Sequence, residues 1–109
     1  MKIQDVSLTL FAWPDIPVTQ YGRHTGHFGG EVQMGLLTVT TDEGVVGHSF
    51  LGAARYGANH DANALIEYLK PIVMGRDPLD RENLYQEFLM RLRTTGFRAI
   101  GAMDIALWD

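Results

Sequence analysis

The chain has 109 residues, of which 46% are hydrophobic and 20% charged, a composition typical of one globular domain. A net charge of −4 without a basic cluster excludes the electrostatic footprint of a nucleic-acid partner, and the lack of cysteine excludes a disulfide scaffold, a thiolate zinc site and a cysteine nucleophile. The sequence contains neither a signal-peptide pattern nor an apolar run near the roughly 20 residues of a membrane span, so we expect a cytoplasmic protein with no membrane partner.

Alternation of apolar and polar residues predicts a first β-strand over residues 2–12. Val6, Leu8 and Leu10 fall on one face, which is typical of a half-buried strand. Two prolines in residues 13–17 are expected to end the strand, because proline donates no ladder hydrogen bond.

Residues 18–31 are predicted to form a loop, since glycine is frequent among them. In a dinucleotide site the glycines lie between a strand and the helix that follows it. The glycines here do not have that context, so they do not indicate such a site. The glycines are Gly22, Gly26, Gly29 and Gly30.

Two further strands are predicted over residues 32–41 and 45–51. Between them, residues 42–44 (DEG) give a tight-turn signal, because Gly44 accepts a positive φ. Three strands joined in this way indicate an antiparallel meander.

The second half of the chain is predicted to be helical. Asn59 is the expected cap of the first helix, Pro71 is expected to kink or end it, and Gly75 closes the segment. The apolar stripe predicted for this helix consists of Ala62, Leu65, Ile66 and Leu69.

A second helix is expected to begin at Asp80, its predicted cap, and to stop at Gly96. A third helix starts near Phe97 and shows no stop signal before Asp109, which suggests that the chain was cut from a larger protein. Strands followed by helices indicate an α+β fold, with three helices packed on one face of the sheet. The apolar face of the second helix is predicted from Leu84, Tyr85, Phe88, Leu89 and Leu92.

Three segments, in order and at compatible spacing, resemble the N-terminal capping domain of the enolase superfamily, in its mandelate racemase and muconate lactonizing branch. Residues 40–49 (TTDEGVVGHS) are similar to the second hairpin of that domain. Residues 69–78 (LKPIVMGRDP) are similar to the end of its first helix and the following turn. Residues 102–109 (AMDIALWD) are similar to the helix that leads into the barrel.

The resemblance implies a capping domain over residues 1–97 and, over residues 98–109, the start of the helix that enters a C-terminal TIM-type barrel. In such enzymes the barrel carries the Lys or His base that removes a proton α to a carboxylate, and Mg²⁺ stabilises the enediolate. We therefore assign no catalytic and no metal-binding residue to this chain. The implied parent protein is a homo-oligomeric, Mg²⁺-dependent acid-sugar dehydratase or hydroxy-acid racemase, and the implied partners are its own barrel and a carboxylate substrate.

Family caps close over the barrel through two loops, which here correspond to about residues 14–31 and 51–59. Side chains able to contact an anionic, polar substrate lie in both, since binding groups favour loops. For the two histidines a solvated loop is the favoured interpretation, for Arg55 a surface ion pair is equally open, and for the two tyrosines a half-buried ring with a solvated hydroxyl is equally open. The candidates are Tyr21, Arg23, His24 and His27 in the first loop and Arg55 and Tyr56 in the second.

A metal pair of His24 and His27 is disfavoured, because such a pair needs rigid presentation and a third ligand. Cycloisomerase and dipeptide epimerase chemistry stay open within the enzyme class. From a different class, a free-standing α+β binding or association module is the alternative.

Overall fold

The computed structural model describes residues 1–20, 23, 27–51 and 58–109. Its sheet has three antiparallel strands in the order β1-β2-β3, which confirms the predicted meander. The strands are β1 (Ile3–Gln20), β2 (His27–Thr41) and β3 (Val46–Leu51).

The turn between β2 and β3 is the one that the sequence predicts. Gly44 has a φ of 81°, a conformation that costs glycine little. The Thr41 hydroxyl accepts a hydrogen bond from the backbone N–H of Val45 at 3.0 Å, which fixes the turn at its base.

The first two strands continue through most of the predicted glycine-rich loop, so the expected break at the prolines is wrong. Pro14 and Pro17 fall at the two irregularities of the ladder, between Trp13 and Ile16 and between Ile16 and Thr19. Because β1 is an edge strand, a missing N–H at such an irregularity leaves no neighbouring strand unpaired.

Helical structure follows, and together with the strands it confirms the predicted α+β architecture. The first helix runs without a break from residue 58 to residue 73, but its middle turn is π-helical. Within the described residues no helix combines the length and the apolarity needed to cross a bilayer. The helical elements are α1 (Ala58–Ala64), the π turn (Leu65–Leu69), α2 (Lys70–Val73), α3 (Arg81–Leu89) and α4 (Leu92–Trp108).

Pro71 neither ends the first helix nor kinks it sharply. The π turn directly precedes it, and the Lys70 N–H bonds to the Leu65 carbonyl, five residues back. We attribute the wider turn to Pro71, which lies in the first turn of α2 and has no N–H to continue an α-helical ladder. Ile66, which lies in this turn, is exposed and so does not belong to the buried stripe as predicted.

Neither predicted helix cap has the expected form. Asn59 is the second residue of α1 rather than the residue before it. Asp80 does occupy the N-cap position of α3, but its carboxylate makes no capping bond. One oxygen accepts a hydrogen bond from Asn83 Nδ2 at 2.7 Å, and the other lies 3.7 Å from Arg76 Nη2. The neighbouring cation thus competes with the helix N–H groups for this carboxylate.

Gly96 interrupts helical structure as predicted, with a φ of 77° and a ψ of 166° inside α4. The second predicted helix nevertheless ends earlier than expected, because α3 stops at Leu89 and Leu92 already belongs to α4. Gly75 closes the first helical segment at a φ of 76°, and its N–H donates to the Ile3 carbonyl at 2.9 Å. Both glycines adopt conformations that a side chain would disfavour.

The helices pack on one face of the sheet and form the core with it. Val6 is buried as expected, whereas Leu10 is exposed because it lies near the outer end of the sheet. Tyr85 and Leu92 pack against the core from its edge. The largest fully buried side chains include Ile3, Leu37, Leu51, Leu65, Leu69, Leu84, Phe88, Ile100 and Met103.

An ion pair joins the sheet to α2 and makes stability depend on pH. Lys70 Nζ donates to Asp5 Oδ1 at 3.0 Å, and this bond lowers the pKa of Asp5 below its ordinary value of 3.8. A lowered pKa means that the contribution is complete above the ordinary value and is lost as the pH falls through the folded-state pKa. Because both groups are partly exposed, we expect it to stay below about 0.5 kcal/mol.

We therefore expect Asp5→Asn to lower the free energy of unfolding slightly at about pH 6 and not at all at about pH 2. Urea unfolding at the two pH values measures this difference. In a Lys70→Met background the same substitution should have no effect at either pH, and an equal loss at both would contradict the assignment.

Candidate functional site

Most of the predicted substrate-contacting residues lie outside the described part of the chain. Tyr21, His24, Arg55 and Tyr56 are in this group, so their expected role stays a prediction. Arg23 is exposed in a turn, and His27 is the first residue of β2.

The two strands that flank the first predicted loop form a long two-stranded arm. Within the described residues the third strand ends at Leu51, opposite Gly35, and the parts of β1 and β2 beyond that point pair with each other. Pairing continues to Gln20 and His27. The strands thus extend about 26 Å beyond Ala12. Such a ribbon has little stability of its own.

The root of this arm meets the start of the first helix at a cleft of about 220 Å³. Ala12 and Gln33 are paired across the strands, so their side chains share one side of the sheet. Asn59 of α1 faces them across the cleft. The residues that line it are Leu10, Phe11, Ala12, Gln33 and Asn59.

The cleft combines apolar walls with two side-chain amides, each of which can donate and accept hydrogen bonds. Pockets that bind small molecules commonly combine apolar walls with a few polar groups in this way. Sequence reasoning missed Gln33 as a site residue and read Asn59 only as a helix cap. Their position could have identified them as site residues, since each lies at the end of one of the two predicted loops.

An ion pair between a buried carboxylate and a half-exposed guanidinium ties the start of α1 to α4. Asp61 is only 4% exposed, two residues after Asn59, and its Oδ2 lies 3.0 Å from Nε of Arg98 in α4. Among the described residues that oxygen has no well-aligned hydrogen bond, and the charge that faces it is the Arg98 guanidinium. Removing Arg98 would leave a buried carboxylate unpaired, which is costly. The position of α1, and with it Asn59, therefore depends on α4.

The described residues offer no metal centre: no three His, Cys, Asp or Glu side chains among them lie close enough to hold one ion. His48 and Asp109 lie close to each other but form only a pair. The backbone N–H of His48 donates to Asp109 Oδ2 at 2.9 Å, and its Nδ1 lies 4.0 Å from the same oxygen. This carboxylate fastens the end of α4 to β3. A pair of side chains is fewer than the six oxygen ligands that Mg²⁺ takes, and no larger group is found among the described residues.

Comparison with known proteins gives one consistent result. The sequence profile of the mandelate racemase / muconate lactonizing enzyme N-terminal domain matches residues 9–109. A D-galactonate dehydratase family member, RspA, from Cellvibrio japonicus is 34% identical over 79 residues, which cover 67% of this chain and 19% of the relative. A D-xylonate dehydratase from Haloferax volcanii is 36% identical over 80 residues, or 68% of this chain and 18% of that protein.

Solved structures share the fold along almost the whole chain. An L-talarate dehydratase from a Polaromonas species, complexed with Mg and L-glucarate, has a TM-score of 0.78 at 22% identity, covering 98% of this chain and 31% of its own. A mandelate racemase/muconate lactonizing enzyme-like protein from Rubrobacter xylanophilus has a TM-score of 0.80 at 19% identity, with coverages of 99% and 29%. The chain thus spans about a fifth of the curated relatives and under a third of the solved ones.

Proposed function

This chain belongs to the mandelate racemase / muconate lactonizing enzyme family, in which it matches the N-terminal domain, and on that premise we propose that it caps the active site of a longer, Mg²⁺-dependent enzyme. The substrate is a sugar acid or a hydroxy acid, and the reaction is a dehydration or a racemisation that starts by removing the proton α to the carboxylate. The cap selects the substrate and excludes water.

One observation carries this proposal. The arm and the start of α1, which adjoin the two predicted loops, meet at a single cleft although they are more than 20 residues apart in sequence. A domain that lays two such segments around one polar cleft can present side chains from both to the same molecule. The ion pair of Asp61 and Arg98 supports this role, because it ties one of the two segments to α4.

The chemistry itself is assigned to the C-terminal part of the longer polypeptide. The described residues lack a ligand set for a divalent cation. When bound, Mg²⁺ would supply electrostatic stabilisation of the enediolate. The residues of this chain would instead bind the hydroxyl groups of the substrate and restrict access of water to the site.

The residue types in the two loops fit an anionic, hydroxylated substrate. Arg23 and Arg55 present planar guanidinium groups that match a carboxylate. Tyrosine and histidine side chains can hydrogen-bond sugar hydroxyls. We propose these contacts for Tyr21, Arg23, His24, His27, Arg55 and Tyr56. The relatives named as D-galactonate and D-xylonate dehydratases support a sugar acid as the first substrate to test.

The proposal is tested with the polypeptide in which this chain is followed by its C-terminal part. Purified with Mg²⁺ and offered a library of sugar acids and hydroxy acids, it should dehydrate or racemise at least one of them. EDTA should abolish turnover and fresh Mg²⁺ should restore it. No turnover of any member by the metal-loaded protein would contradict the proposal, as would turnover by the 109-residue chain alone.

A further inference from the structure

The cleft at the root of the arm is polar without being charged. We call it the root cleft and define it by the residues that line it in the described part of the chain, which are Leu10, Phe11, Ala12, Gln33 and Asn59. Gln33 and Asn59 are the polar members of this set, and none of the five carries a charge. Side-chain amides both donate and accept hydrogen bonds, which is what a hydroxyl group also does.

Gln33 lies where one side of β2 changes from apolar to polar. Side chains alternate along a strand, so Gln33 shares its side of the sheet with Gly35 and Leu37. Leu37 is fully buried in the core. A Cβ built at Gly35 would lie 3.2 Å from Leu10 Cδ2, so Leu10 lies across this glycine and extends the apolar surface toward the cleft. The amide of Gln33 follows at the outer end of that surface.

The positive end of α1 does not make the root cleft a site for an anion. The N–H groups at the start of a helix favour negative charge, and Asn59 is the second residue of α1. Asp61 already supplies that charge, because it lies in the first turn of α1 and is buried there. Its Oδ2 in turn engages Arg98 Nε at 3.0 Å. A carboxylate placed in the cleft would therefore find no uncompensated cation among the described residues that line it.

We propose that the root cleft binds the uncharged, hydroxylated end of a sugar acid, so that the longer enzyme selects acids with one carboxylate over acids with a carboxylate at each end. This inference rests on the proposed function for the class of ligand, whose carboxylate is assigned there to the loop guanidinium groups, but not for its turnover. A second carboxylate in the root cleft would leave water without gaining a cation, which costs free energy. The cleft of about 220 Å³ suits one end of such a molecule, since pockets that enclose a whole ligand have roughly 300–1,000 Å³.

Calorimetry on the longer polypeptide with Mg²⁺ at neutral pH tests the inference without requiring turnover. The probes are pairs of sugar acids of one configuration that differ at the terminal carbon alone, such as gluconate with glucarate and galactonate with galactarate. In the pair that binds, the monoacid should bind at least about tenfold more tightly than the diacid. Equal affinities, tighter binding of the diacid, or no binding of either pair would overturn the inference.

Two variants that place a cation at the root cleft should weaken this preference. Gln33→Lys and, independently, Asn59→Lys should each raise the affinity for the diacid relative to the monoacid about tenfold, because the second carboxylate gains a charged hydrogen bond. Gln4→Lys is the matched control, since Gln4 is exposed at the opposite end of β1, and it should leave the ratio unchanged. An unchanged ratio in both cleft variants, or an equal shift in the control, would overturn the inference.

The outcomes separate this inference from the proposed function. The predicted binding preference without turnover of any acid would reject the proposed function alone. Turnover combined with equal or tighter binding of the diacid would reject the assignment of the root cleft alone.

Discussion

Replacing Gly47 with alanine should destabilise the fold by about 3 kcal/mol, because the new Cβ would overlap the carbonyl oxygen of Ala106. Gly47 lies on the buried side of β3, at the point where the backbone of α4 crosses the strand. The expected loss is a large part of the 5–15 kcal/mol that holds a typical domain together. For a domain of this size it corresponds to a fall of about 12–24 °C in melting temperature.

The crossing has little room to relax, because the neighbours of Gly47 are fastened to α4. The Ser49 hydroxyl donates to the Ala102 carbonyl at 2.6 Å, and the backbone N–H of His48 donates to Asp109. A shift of the helix that accommodates the methyl group would break one or both of these bonds.

Urea and thermal unfolding measure the effect, with Gly101→Ala as the matched control. The control makes the same change where a Cβ meets no atom within 4 Å, and we expect it to gain up to about 1 kcal/mol from helix propensity. A Gly47→Ala variant within about 0.5 kcal/mol of the original chain would show that strand and helix are not in tight contact.

Local chemistry was sufficient to predict the elements whose form depends on near neighbours. The turn at Gly44 follows from a requirement for positive φ, and the interruption at Gly96 follows from the same property. The buried face of α3, with Leu84 and Phe88 at its centre, follows from apolar residues spaced by four. In each case the residues that determine the local conformation lie within a few positions of the turn or helix face that they form.

Features that depend on the rest of the fold were not predictable in the same way. Pro14 and Pro17 indicate a break only if their strand has a neighbour on both sides, and the sequence does not show that β1 is an edge. The π turn before Pro71 forms because packing keeps the segment helical, although Pro71 has no N–H to donate to the helical ladder.

The candidate site shows the same limit more strongly. Gln33 and Asn59 face one cleft although 26 positions separate them, and Asp61 pairs with Arg98 across 37 positions. No short sequence pattern marks either pair. Polar residues beside loops are common on protein surfaces, so their type alone does not reveal a distant partner. The resemblance to a known cap identified the two segments but not the side chains at their roots.

Removing the arm should leave a folded protein that has lost most of its activity. Because Ala12 and Gln33 are partners across the strands, an Asn-Gly turn can join them and omit the residues between. In the longer polypeptide we expect kcat/KM for the acid that it turns over to fall by about 10² or more, because the substrate is no longer enclosed and oriented. Magnesium affinity, measured by calorimetry, should not change.

The control is one extra glycine inserted after Glu43, in the turn at the opposite end of the sheet, and it should leave kcat/KM unchanged. Together the two variants test whether the arm encloses the substrate while the C-terminal part carries out the reaction. A large loss of turnover with cation binding intact is the predicted result. Full turnover after the arm has been removed would contradict the account.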